Sequence, residues 1–202
     1  MKVCNYIDCS DFCCGDIDNE AYLAPYREIN PNAIKIIMVS EAPPPDRNDY
    51  FYAPYNPFYL QTTVQAFNDA GINAAGMQDI LGLGVYITTA VKCGKTGYSI
   101  STETINRCSE LLEQEIALFP GIEVFMLMGD TAIKAMNHIW KKQSGAAVIP
   151  GGSTYKIRKE KFYYQGKRVF PSYLQTGKNY LIEKSKRRMI AEDIGEAVEL
   201  IG

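Results

Sequence analysis

Histidine is almost missing from this chain: His138 is the single one in 202 residues. A multi-histidine metal centre is thereby excluded, and a Ser–His–Asp triad would have to use that one residue. His138 itself lies at helical spacing among the apolar residues of Ala135-Met-Asn-His-Ile-Trp140, which points to a structural role. No apolar run approaches a bilayer span, and the first residues lack the apolar core of a secretory leader. A cytoplasmic protein with no membrane partner is expected. A glycine-rich phosphate loop of the usual spacing is also lacking, which disfavours a nucleotide-dependent enzyme. No repeat and no second domain is visible, so one domain over 1–202, acting as a monomer and large enough to fold around its own core, is the expectation.

What is present is unevenly spread. The net charge of −2 hides an acidic start, with Asp8, Asp11, Asp16, Asp18 and Glu20 against Lys2 alone. Residues 156–188 reverse the sign, with eleven Lys or Arg against Glu160 and Glu183. Tyr155, Phe162, Tyr163, Tyr164 and Tyr173 interleave those cations, as stacking groups would on a phosphate-binding surface. An ordinary solvated face has the same composition. The six cysteines fall into two groups, Cys4, Cys9, Cys13 and Cys14, then Cys93 and Cys108. In a cytoplasmic protein these are thiols or metal ligands before they are disulfides. Four thiolates converging from two regions suit a [4Fe–4S] cluster or a structural zinc, although the spacing is no standard signature. Inert buried thiols are the alternative.

The pattern of elements centres on Ile34-Lys-Ile-Ile-Met-Val-Ser-Glu-Ala-Pro-Pro-Pro-Asp-Arg-Asn-Asp49. It starts as an apolar run, a strand buried on both faces. It turns polar at Ser40-Glu41, and Pro43, Pro44 and Pro45 stop both strand and helix. Glu41, Asp46 and Asp49 therefore stand at a strand's carboxyl end, where open α/β sheets keep their ligand crevice. A helix over Tyr59–Ala70 and a short turn at Met77–Leu81 follow. Gly84–Val91 reads as a second strand, and Ser101 or Thr102 caps a helix reaching Phe119. Glu123–Met128 reads as a third strand, with Asp130 capping a helix over Thr131–Lys141. Lys156–Tyr164 and Lys167–Phe170 read as a hairpin whose second arm enters the sheet. Pro171–Gly177 reads as a second stiff loop, and Tyr180–Leu200 as the closing helix. The alternation of strand and helix gives an α/β fold, a parallel sheet with helices on both faces.

Taken in order, several of these segments resemble the uracil-DNA glycosylase superfamily, nearest its iron–sulfur branches, families four and five. Ile36-Ile-Met-Val-Ser-Glu-Ala-Pro43 is similar to the family's strand and Gly-Glu-x-Pro-Gly loop. Pro57-Phe58 resembles the Pro-Phe whose ring stacks on the base. Val85-Tyr-Ile-Thr-Thr-Ala-Val-Lys-Cys93, with Cys108 beyond, resembles the Tyr-Ile-Thr-Asn-x-Val-Lys-Cys motif and its second cysteine. Phe170-Pro-Ser-Tyr-Leu174 resembles the His-Pro-Ser-Tyr-Leu loop, and Gly129-Asp-Thr-Ala132 a strand-to-helix turn. The resemblance implies a three-layer α/β/α sandwich around a mainly parallel four-stranded sheet. It implies DNA as partner, with a flipped base whose N-glycosidic bond is hydrolysed. Glu41, Asp46 and Asp49 would supply the catalytic carboxylate, Ala42, Phe58 and Thr89 would border the base, and Pro171, Ser172, Tyr173 and Lys178 would meet the DNA strand. Cys9, Cys13, Cys93 and Cys108 would hold a [4Fe–4S] cluster, with Cys14 as substitute and zinc as the other metal.

The departures from the family are themselves informative. Ser40 and Pro44 replace glycines, Thr89 stands for the base-reading Asn, Phe170 for the His, and Gln175-Thr176 for a region that carries Arg in many members. They imply an altered specificity for uracil. A non-catalytic nucleic-acid-binding protein on the same fold, or a hydrolase of another N-glycoside or nucleoside, are the rival expectations.

Overall fold

The computed structural model describes residues 1–10 and 14–202. The acidic start is short turns plus a two-residue strand, β1 (Ile17–Asp18). The central apolar run becomes β2 (Ile36–Ser40), buried at all five positions. After its proline loop comes α1 (Phe58–Asp69), then α2 (Met77–Gly82) and β3 (Val85–Thr89). A second two-residue strand, β4 (Gly94–Lys95), pairs antiparallel with β1. Helix α3 (Thr102–Ile116) starts at Ser101, whose hydroxyl accepts from Thr104 N as an N-cap does.

Next come β5 (Val124–Met128) and α4 (Asp130–Ser144). Here the expected Asp130 cap gives way to Gly129. Asp130 is already helical, and its carboxylate takes Lys134 one turn on at 2.6 Å. The chain finishes with α5 (Thr154–Ile157), β6 (Phe162–Tyr164), β7 (Lys167–Ser172), α6 (Lys178–Ile182) and α7 (Lys184–Glu199).

The main sheet runs β3-β2-β5-β7-β6. The first four strands are parallel, and β6 pairs antiparallel with β7 at the edge. Both arms of the hairpin thus join the sheet, which has five strands rather than four. The first arm is short because residues 154–157 form α5 instead, with Arg158 anchored on α7. Arg158 is buried and donates to Asp193 Oδ1 (2.6 Å) and to the Met189 carbonyl (2.8 Å), leaving the segment as a helical turn. Pro171 and Ser172 extend β7 rather than opening a loop, and the closing helix breaks at Glu183.

The parallel register puts Ser40 beside Thr89, and Met38 in line with Met126 and Phe170. Paired residues share a face and successive ones along a strand do not. Met38, Ser40, Thr89, Phe170 and Ser172 therefore look toward α1 and α7, where Ser172 meets Asp193. Ile37, Val39, Tyr86, Thr88 and Phe125 look toward α3 and α4, where Thr88 reaches Glu115 and Phe125 meets the Trp140 ring at 5.8 Å. Helices on both faces of a mostly parallel sheet make the three layers. No helix among the described residues is long and apolar enough to cross a membrane.

Candidate active site

At the carboxyl edge, β2 delivers Ser40 and Glu41 and then dives beneath its own loop, with Ala42, Pro43 and Pro44 buried. The loop closes on itself. Asp46 is exposed and accepts from Asn48 N at 2.9 Å, so its carboxylate serves its own turn. Asp49 reaches further, accepting from Phe58 N at 3.3 Å. That bond starts α1 close to the strand it left. Tyr59, the next residue, lies within the fields of Glu41 and Asp49. Burial first, and those two charges second, push its phenol above the usual range and keep it protonated.

Glu41 is the best-placed acid. Its side chain is 22% exposed, and Oε2 stands 3.8 Å from Lys95 Nζ, a loose pair that leaves the carboxylate partly open. Gly129 lies against it. The backbone there has φ +103, and a Cβ would come 3.0 Å from Glu41 Oε1, so only glycine lets β5 turn into α4 at this spot. A cleft of ≈ 260 Å³ opens beside them, lined by Glu41, Gly129, Tyr173, Leu174, Thr176 and Lys186 among others. The end of β2 and the segment after β7 therefore face one another across one space.

Other expected site residues sit differently. Phe58 heads α1, half-buried, outside that lining. Thr89 is fully buried beside Ser40, and its Oγ1 has no hydrogen-bond partner. Pro171 and Ser172 are buried in β7, and the Ser172 hydroxyl donates inward to Asp193. Their side chains do not present a surface to DNA: Ser172 lies under α7, and Pro171, in register with Leu127, faces the opposite layer of α3 and α4. Tyr173 does reach the cleft, with Lys186 Nζ 5.3 Å from its ring, and Lys178 is exposed. Phe170, which stands for the family's His, is core, with the Arg168 guanidinium 4.1 Å from its ring centre. Sequence reasoning missed Lys95, Gly129, Tyr59 and Thr176. Gly129 had a signal, as a glycine between strand and helix, whereas Lys95 is placed only by the β1–β4 pairing.

The thiols gather elsewhere. Cys93 follows β3 and Cys108 lies on α3, both buried. Burial pushes the Cys93 thiol up to about 12, with Cys108, Cys9 and Cys14 adding to the rise. The Cys108 thiol is also raised, by burial first, with Cys14 and Cys9 contributing. Cys9, Cys14 and Cys108 line one hollow of ≈ 280 Å³. Cys13 lies outside the described residues. Among those described, no three metal-binding side chains stand close enough to grip an ion as they are. The donor set, all sulfur and drawn from two chain regions, fits an iron–sulfur cluster in kind.

Comparison with known proteins agrees with this fold. The chain is 26% identical over 119 residues to the Type-5 uracil-DNA glycosylase of Thermus thermophilus. The match covers 59% of this chain and 52% of the relative, so it spans about half that protein's length. The family model described as "Uracil DNA glycosylase superfamily" matches residues 26–192, from ahead of β2 into α7 and across every strand of the main sheet. With its carboxylate at the end of β2 and its cleft against the segment after β7, the chain belongs to the uracil DNA glycosylase superfamily.

Proposed function

We propose that this protein is a DNA glycosylase that hydrolyses the N-glycosidic bond of a flipped base, with Glu41 as its catalytic carboxylate. The observation that carries the reading is the position of Glu41, partly open and facing Tyr173 and Thr176 across a cleft at the carboxyl end of the sheet. In the reaction the C1′–N bond breaks and its electron pair leaves with the base. A water oxygen bonds to C1′, and the water's proton is carried off to the solvent or the departing base. Positive charge develops on the sugar as the base departs, and the Glu41 carboxylate stabilises it and orients the water. Lys95, with its Nζ 3.8 Å from Glu41, offers a cation near the departing negative charge. The protonated Tyr59 hydroxyl is a donor at the same edge. With Phe170 buried, no imidazole assists the leaving group, so bases that leave readily are the expected substrates. Exposed Lys178, Lys184 and Arg188, together with Lys186 at the cleft, provide the phosphate contacts.

A [4Fe–4S] cluster on Cys9, Cys93, Cys108 and either Cys13 or Cys14 belongs to the same reading, supported by the mutual influence of Cys9, Cys14, Cys93 and Cys108. Bound there, it cross-links the N-terminal segment to the loop after β3. Iron and sulfide analysis of protein purified without oxygen is expected to give four of each per chain. A colourless, iron-free preparation overturns the cluster.

The activity is tested with oligonucleotides carrying uracil, hypoxanthine, xanthine or alkylated bases, cleaved with alkali at any abasic site formed. Product is expected, and Glu41→Gln should reduce it by about 10²–10⁴-fold. Salt-sensitive DNA binding without product from any oligonucleotide would leave a binding protein on this fold instead.

A further inference from the structure

Gln175 is fully buried, yet its amide is poorly matched. Its Nε2 donates to the Met38 thioether sulfur at 3.4 Å, and its Oε1 accepts from Ser40 Oγ at 3.5 Å. A primary amide has two donors and two acceptor positions. Here one donor meets a weak acceptor, and one acceptor meets a hydroxyl at the limit of hydrogen-bond distance. Buried amides are ordinarily satisfied, so this one asks for an explanation.

Its surroundings share the same deficit. Ser40 pairs in register with Thr89, so both point to the face of the sheet that Gln175 covers. Thr89 Oγ1 is buried with no partner. Thr176 Oγ1 has the Tyr59 hydroxyl as its polar neighbour. Four polar side chains, at Ser40, Thr89, Gln175 and Thr176, are each at least nine-tenths buried at the carboxyl end of β2 and β3. Thr176 lines the cleft itself, and the other three lie one layer behind it, with Gln175 next to Thr176 and Ser40 next to Glu41 in the chain. An underbonded polar cluster costs stability, so its position beside the cleft calls for a role.

We propose that Gln175 is the base-reading residue of this protein, with Thr89 and Ser40 as its floor. The proposal rests on the glycosylase reading and deepens it. An amide presents a donor and an acceptor side by side. It is complementary to a lactam edge, in which a carbonyl adjoins an N–H, as in uracil. Nε2–H donates to the lactam oxygen, Oε1 accepts the lactam N–H, and the Thr89 hydroxyl takes the bond it lacks. The reading amide thus comes from the segment after β7, whereas Thr89, at the end of β3, supplies only a hydroxyl. The segment after β7 thereby sets both the wall of the cleft and the identity of the base.

The test separates base reading from folding and from catalysis. Affinity is measured for oligonucleotides carrying 2′-fluoro-2′-deoxyuridine, whose glycosidic bond resists cleavage, or a tetrahydrofuran abasic analogue, which has no base. The whole chain is expected to prefer the first. Gln175→Met keeps volume and loses the amide. It should abolish that preference, by on the order of 10-fold or more, with the abasic affinity and the melting temperature unchanged. Thr89→Val should weaken the same preference without lowering the melting temperature, since it removes an unpartnered hydroxyl. A preference that survives both substitutions overturns the proposal. So does a whole chain that shows no preference, or a Gln175→Met variant that binds the base more tightly, which would make Gln175 a plug. Failure of the glycosylase reading shows separately, as absence of product from ordinary uracil oligonucleotides while the binding preference persists.

Discussion

Glu41 and Gly129 act as one unit. The carboxylate rests on a backbone position that has no side chain and a positive φ, and the same glycine donates its N–H to the Ser172 carbonyl at 3.0 Å. A methyl group at Gly129 would both strain the turn and push Glu41 out of the cleft. Gly129→Ala is therefore expected to destabilise the protein by roughly 1–3 kcal/mol, measured by urea unfolding. Excision, measured well below the melting temperature, should fall by more than the loss of folded protein explains. The placement of Glu41 at a strand's carboxyl end was readable from residues alone, because an apolar run that meets an acid and then three prolines must stop there. Asp46 carried the same signal and went another way, since a free N–H two residues on captured its carboxylate. Lys95 had no signal, being one cation in a flexible-looking loop until β1 fixed it beside Glu41.

Between elements, the join of β3 to α3 is made by a buried ion pair. Lys92 Nζ donates to Glu115, to Thr88 Oγ1 at 2.8 Å and to the Thr89 carbonyl at 2.6 Å, and both charged side chains are fully buried. Tyr86 and Thr88 donate to the same carboxylate, so every member of the network has a partner. Such a network tolerates joint replacement better than the loss of one partner. Lys92→Met alone should cost roughly 3–5 kcal/mol in urea unfolding, because Glu115 is left in the core without its cation. Lys92→Met with Glu115→Leu should recover much of that loss. If the single and double variants are equally unstable, the pairing is not what holds the join. The strand and helix were both legible from their patterns, Val85–Thr89 by β-branching and Thr102–Ile116 by its cap and apolar stripe. The pair between them was not, since Lys92 and Glu115 look like surface residues until the register points them inward.

Across the whole molecule, the N- and C-terminal halves are fastened where α1 meets α6 and α7. Arg187 donates through two nitrogens to Asp69, and the Tyr180 hydroxyl adds a bond to Asp69 Oδ2 at 2.7 Å. The Arg187 hydrogen bonds hold the Asp69 carboxyl down to about 2. A carboxyl lowered in the folded state adds stability above its unfolded pKa and loses it as pH falls through the folded value. The clamp is therefore present above about pH 4 and lost as the pH falls through about 2. Asp69 is partly exposed, so its contribution is about 1 kcal/mol or less. Urea unfolding of the wild type and of Asp69→Asn should differ by that amount at pH 6, with the gap closing as the pH falls through about 2. A constant gap across that range would contradict the assignment. DNA affinity should also fall steeply with salt if α6, α7 and Lys186 carry the phosphate contacts.

The residues by themselves determined the layers and their order, because apolar runs broken by glycine and proline leave little choice of element. They determined the acid at the end of β2 and the family for the same reason: both are written in contiguous segments. Tertiary structure alone decided which side of the sheet each polar residue took. Gln175 lies far from Ser40 in the chain and reaches it, beside Thr89, only because parallel pairing aligns Ser40 with Thr89 and the segment after β7 returns over that face. Ser172 belongs to a motif yet turns inward, since one step along a strand reverses the face a side chain occupies.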